Sequence, residues 1–107
     1  MTNISPIEAF SDPTRRQLLE RLRLSPCSVG DLVETVTVSQ SAVSQHLRVL
    51  RAARLVQVRR QGQQRIYSLD PAGLAELRSY VESFWEQVVD SYQDAAAHST
   101  QQEDLDA

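Results

Sequence analysis

The chain has 107 residues, 41% apolar and 23% charged, with a formal net charge of −3. That composition is typical of a folded domain and excludes a disordered chain. It also excludes a helical membrane protein, because no apolar run approaches the roughly 20 residues that a spanning helix needs. One small domain over 1–98, followed by a flexible acidic tail over 99–107, is the expected organisation. A domain of this size has little stability in reserve, so sharing apolar surface with a second copy is a natural solution.

The opening MTNISPIEAF has neither the basic nor the long apolar segment of a secretory signal, so a cytoplasmic location is expected. Ser5 and Pro6 start a short first helix, the serine as N-cap and the proline in the first turn. Asp12 and Pro13 repeat that signature and open a second helix, TRRQLLERLRL. Leu18, Leu19 and Leu22 form its apolar face, with Leu24 a candidate fourth member. Cys27, the single cysteine, suits a reducing compartment and excludes an internal disulfide or a two-cysteine switch within one protomer. Two readings of it stand: a small, partly buried hydrophobe, or a redox-reactive thiol. Ser28 caps a third helix with Asp31 near its positive end, and Leu32, Val33 and Val36 face inward.

After the tight connection Thr35 to Val38, Ser39 caps a fourth helix running from Gln40 to about Ala53. At about 100° per residue, Val43, Leu47 and Leu50 gather on one side, while Gln40, Ser41, Ser44, Gln45, Arg48 and Arg51 take the other. His46 flanks the apolar face, where packing or a local bond is the expected role. VQVRR (56–60) and RIYSL (65–69) then read as a hairpin around a tip of Gln61, Gly62, Gln63 and Gln64. Residues 40–69 hold six arginines and no acid, whereas 70–107 hold one arginine against nine acids. A phosphate partner senses charge within roughly 10 Å, so the basic block outweighs the negative total. A helix that starts with neutral amides and hydroxyls, followed by a basic hairpin, is suited to reading duplex DNA.

Asp70 and Pro71 open a last helix, about 71 to 97, with an apolar stripe including Leu77, Val81, Phe84, Trp85, Val88 and Tyr92. The stripe is too rich in large side chains for the edge of so small a domain, and pairing with a second protomer is expected there. The whole is mainly α with a small β-hairpin wing, a winged helix-turn-helix.

SDPTRRQLLERL, SQSAVSQHLRVLR and RRQGQQRIYSL together resemble the ArsR/SmtB-type bacterial transcriptional repressors over roughly residues 6–72. The resemblance implies a homodimer joined through first and last helices, bound to a palindromic operator in double-stranded DNA. It makes Gln40, Ser41, Ser44 and Gln45 the base readers in the major groove. Arg48, Arg51, Arg59, Arg60 and Arg65 become phosphate contacts, and Gly62 the turn of the wing. It also raises metal control. The thiolate site of some members is absent, since Ser28, Gly30 and Val33 stand where cysteines are needed. A carboxylate and imidazole site is conceivable at Glu86, Asp90, Asp94 and His98, four apart on one helical face and suited to Ni²⁺ or Zn²⁺. The two-histidine spacing of the family is not reproduced there, and a solvated acidic stripe is the other reading. No metal is assigned and no cofactor is required. Ser41, Ser44 and His46 lack an acid to orient the imidazole, so catalysis is not expected. A protein-interaction adaptor without DNA binding is the alternative from a different class.

Overall fold

The computed structural model describes residues 4–106, with side chains described over 4–97. Proline and capping residues set the helix starts. Ser5 Oγ accepts from the Ile7 amide ahead of α1 (Pro6–Phe10), and an Asp12 carboxylate oxygen accepts from the Arg15 amide ahead of α2 (Pro13–Leu24). Ser28 and Asp31 form a reciprocal capping box at α3 (Val29–Thr35), and Ser39 Oγ accepts from Ala42 at α4 (Gln40–Ala52). Each cap satisfies an amide that the first helical turn would otherwise leave without a partner.

The sheet has three antiparallel strands in the order β1-β3-β2, namely β1 (Cys27–Ser28), β2 (Val56–Gln61) and β3 (Gln64–Leu69). β1 was not expected from the sequence. Two residues beside Pro26 are too short to show any alternation, and only pairing of Cys27 with Tyr67 and Ser28 with Ile66 makes them a strand. The hairpin turn is also tighter than the expected four-residue tip, because Gln61 and Gln64 pair directly and leave Gly62 and Gln63 as the turn.

The core of the unit 1–77 is built from Leu18, Leu32, Val43, Leu47, Leu50, Leu55 and Val56, all under 3% exposed. Leu24 corrects the expected apolar face of α2. It is 80% exposed, because it lies two residues beyond Leu22 and so about 200° round the helix.

α4 ends in a Schellman-type cap. The Leu55 amide donates to the Leu50 carbonyl and the Arg54 amide to the Arg51 carbonyl, with Arg54 in the left-handed region at φ 60°. The Gly73 amide then donates to the Arg54 carbonyl at 2.7 Å. A Cβ on Gly73 would sit 2.2 Å from that oxygen, so glycine is required there by close backbone approach.

α5 spans Pro71–Asp106, and residues from Arg78 onward form a second unit. The helix continues through the stretch expected to be a tail after 98. After Gly73 the sequence has no glycine or proline to stop it, and its Ala, Gln and Glu residues favour helix.

Candidate nucleic-acid interface

α4 presents two chemically distinct faces. Val43, Leu47 and Leu50 are sealed in the core, while Gln40, Ser41, Ser44, Gln45, Arg48 and Arg51 are all exposed. The helix is held from behind by more than apolar packing. Arg15 Nε donates to the Ala9 carbonyl at 2.7 Å, and its Nη1 lies 3.4 Å from His46 Nδ1, so one guanidinium connects α1, α2 and α4. His46 thus bonds across the fold to α2, 31 residues away in the chain, where a packing role or a local bond was expected. Asp12, which caps the same turn, has its carboxyl held below the ordinary range, chiefly by the Arg15 amide it accepts from.

Strand register places the wing residues. Arg60 stands directly opposite Arg65, and Val58 opposite Tyr67, so these four share one face of the hairpin, and Val56 and Leu69 continue it. Arg59 leaves the sheet on the other face, opposite Ile66. Like charges directly across a ladder are destabilising, so the Arg60 and Arg65 pair is a feature that an anion would relieve. Gly62 makes the turn at φ 63°, with nothing near its missing Cβ.

Between α4 and the wing lies an open groove of about 570 Å³ bordered by Gln40, Ser44, Arg48, Arg51, Arg65 and Tyr67. A smaller hollow of about 290 Å³ adjoins it, bordered by Arg51, Arg59, Arg60 and Arg65. The structure thus brings five expected arginines and two expected base readers around two adjoining depressions. Ser41 and Gln45 are exposed on the same helix but do not line them. No ion pair involves these five arginines among the described residues. Arg54, the sixth arginine of the acid-free stretch, instead reaches Glu76 at 2.7 Å.

Tyr67 escaped the sequence reading. It lies two residues from Arg65 and so on the same strand face, but nothing local showed that this face continues into the groove. Cys27 is only 3% exposed, and burial pushes its thiol up from the ordinary range, which fits the small-hydrophobe reading.

The expected pairing stripe lies mostly on the second unit. Val81, Phe84, Trp85, Val88 and Tyr92 are each between 53% and 76% exposed, and Tyr80 joins them at 50%, with its ring edge-on to Phe84. Leu77 is half-buried at the end of the first unit. Glu86, Asp90 and Asp94 are exposed, and the His98 side chain lies outside the described residues. Among the described residues no three His, Cys, Asp or Glu side chains come together to hold a metal ion. None of the helices is long and apolar enough to cross a membrane among those residues.

The comparisons with known proteins agree with this geometry. Residues 12–58 match the family model described as bacterial regulatory protein, arsR family. The chain is 48% identical over 85 residues to the HTH-type transcriptional regulator Rv2034 of Mycobacterium tuberculosis, covering 79% of each. It is 33% identical over 84 residues to the transcriptional repressor SdpR of Bacillus subtilis, covering 78% of this chain and 91% of that one. Among solved structures, one described as "Possible transcriptional regulator for arsenical resistance" superposes with a TM-score of 0.71 at 41% identity, covering 82% of this chain and 96% of the other. The transcriptional repressor BigR from Xylella fastidiosa superposes at 0.61 with 32% identity, covering 74% and 78%. The winged helix-turn-helix fold is that of these regulators, and the chain belongs to the ArsR family of DNA-binding transcriptional regulators, which are not enzymes.

Proposed function

We propose that the protein is a homodimeric repressor that places α4 in the major groove of a palindromic operator and the β2–β3 wing on the flanking backbone or minor groove. One observation carries this reading: five exposed arginines without an acidic partner surround neutral Gln and Ser side chains at a helix start. Glutamine can pair with an adenine edge, serine with several base groups, and arginine with phosphate oxygens. Gln40, Ser41, Ser44 and Gln45 read sequence; Arg48, Arg51, Arg59, Arg60 and Arg65 hold the backbone.

Two recognition helices must be held at a fixed separation to read two half-sites. The exposed stripe Val81, Phe84, Trp85, Val88 and Tyr92, with Ile7 and Phe10 each 37% exposed on α1, supplies apolar surface for pairing with a second copy. Control by Ni²⁺ or Zn²⁺ would draw on Glu86, Asp90, Asp94 and His98 from two copies of α5. Titrating either ion into the protein and into His98→Ala tests it, and matching affinity and stoichiometry would dismiss it.

The main test is duplex binding across a salt series. Substituting Gln40 and Ser44 by alanine is expected to abolish sequence preference while leaving the salt-dependent component. Arg59→Ala is expected to weaken binding to every sequence and reduce the salt slope by about one per protomer. Failure of the unaltered protein to bind any duplex at low salt would overturn the reading.

A further inference from the structure

Tyr67 is the one polar side chain at the groove that the described function leaves without a role. It lies in the central strand, paired on one side with Cys27 and on the other with Val58, and it is only 7% exposed. Its ring is therefore fixed by the sheet on both flanks. Among the described residues no hydrogen bond reaches its hydroxyl, yet no buried side-chain oxygen lacks a partner, so the hydroxyl is not sealed from solvent, and the residue borders the groove. A rigid neutral donor faces the same space as flexible cations.

Arg51 and Arg65 are the two residues that border both the groove and the adjoining hollow, one from α4 and one from β3. Arg65 and Tyr67 lie two apart on one strand and hence on one face. We infer that Arg51, Arg65 and Tyr67 form a single seat for one backbone phosphate, gripped by helix and wing together. This rests on the DNA-binding reading above and adds a specific division of labour. The arginines supply charge from two elements, α4 and β3. The Tyr67 hydroxyl, donating to a phosphate oxygen, supplies a fixed point. Because Gln40 and Ser44 border the same groove, that point sets how far the base readers enter the major groove. Tyr67 is thus a positioning residue for base readout. A tyrosine kept only for packing would have no need of its hydroxyl.

Binding of the full-length protein to a random-sequence duplex over a potassium chloride series tests this without involving base readout. Tyr67→Phe keeps the ring and is expected to weaken binding roughly tenfold per protomer, the effect of losing a hydrogen bond to a charged group, with an unchanged salt slope. The Arg51→Ala, Arg65→Ala double variant is expected to lower the slope by about one per protomer, hence about two for the homodimer, because the pair neutralises one phosphate, where arginines on separate phosphates would lower it by about two per protomer, hence about four. In that double background Tyr67→Phe is expected to have little further effect, since its phosphate is no longer held; a packing defect would persist there. Wild-type affinity in Tyr67→Phe, an undiminished Tyr67→Phe effect in the double background, or a slope change of about two per protomer (about four for the homodimer) would overturn the shared seat. Loss of duplex binding by the unaltered protein would instead overturn the DNA-binding reading beneath it.

Discussion

The α4–wing face and the exposed stripe of α5 are both solvent-facing, and they are unfinished in opposite ways. The first exposes five arginines with short polar side chains and hides its apolar residues in a core under 3% exposed. The second exposes Phe84, Trp85, Val88 and Tyr92 at more than half their area each. Charge left without a counter-charge is relieved by a polyanion. Large apolar area left in water is relieved by another apolar surface. Two incomplete surfaces therefore imply two different kinds of partner, and each can be broken without touching the other.

Trp85→Asp puts a charge in the middle of the apolar stripe and is expected to have the largest effect. The protein should sediment as a monomer, and operator affinity should fall by at least about 100-fold because the two half-sites lose their linkage. The unit 1–77 should still unfold cooperatively, since Trp85 is 65% exposed and takes no part in that core, but without the stabilisation that pairing adds. An unchanged oligomeric state would remove the stripe from the interface.

Gly73→Ala attacks the other side of the comparison, the integrity of the unit that carries the DNA face. A Cβ at 2.2 Å from the Arg54 carbonyl oxygen meets backbone, which cannot rotate away. About 3 kcal/mol of lost stability in urea unfolding is expected, in the range of overpacked sites. A loss below about 0.5 kcal/mol, typical of a neutral surface site, would show that the cap relaxes freely.

The fold was legible where chemistry repeats along the chain. Serine, aspartate and proline marked the helix starts, and the 3.6-residue spacing of Val43, Leu47 and Leu50 fixed which side of α4 faces out. Features created by distant pairing were not legible. β1 exists only because Cys27 and Ser28 find β3, and Gly73 is needed only because α4 ends beside it. The candidate site shows the same division. Sequence placed all five arginines in one basic block, but only register separates Arg60 and Arg65 from Arg59. Only the fold brings Tyr67 to the groove and withdraws Arg54 into an ion pair.

Asp12→Ala removes the cap of α2 beneath the same face and should cost about 1 kcal/mol at neutral pH, read by chemical unfolding. The sign with pH follows from the lowered carboxyl pKa. The folded state favours the charged form, so the stabilisation is present above the unfolded value near 3.8 and is lost as pH falls through the lower folded value. The gap between the two proteins should therefore narrow in acid. A gap that widens on acidification would contradict the assigned cause.

Arg54 provides the smallest effect and the finest division within the basic stretch. It occupies the left-handed region at φ 60°, where a side chain costs about 1 kcal/mol relative to glycine, and its guanidinium pairs with Glu76 on the surface. Such an exposed pair contributes at most about 1 kcal/mol, so strain and pairing nearly cancel in Arg54→Gly, and little net change in stability is expected. Arg54→Ala keeps the strain and loses the pair, so it should be the less stable of the two by about 1 kcal/mol. Neither variant should alter the salt slope of duplex binding, because this charge already has a carboxylate partner. A reduced slope in Arg54→Ala would return Arg54 to the DNA face and erase the distinction between the arginine that closes α4 and the five that face outward.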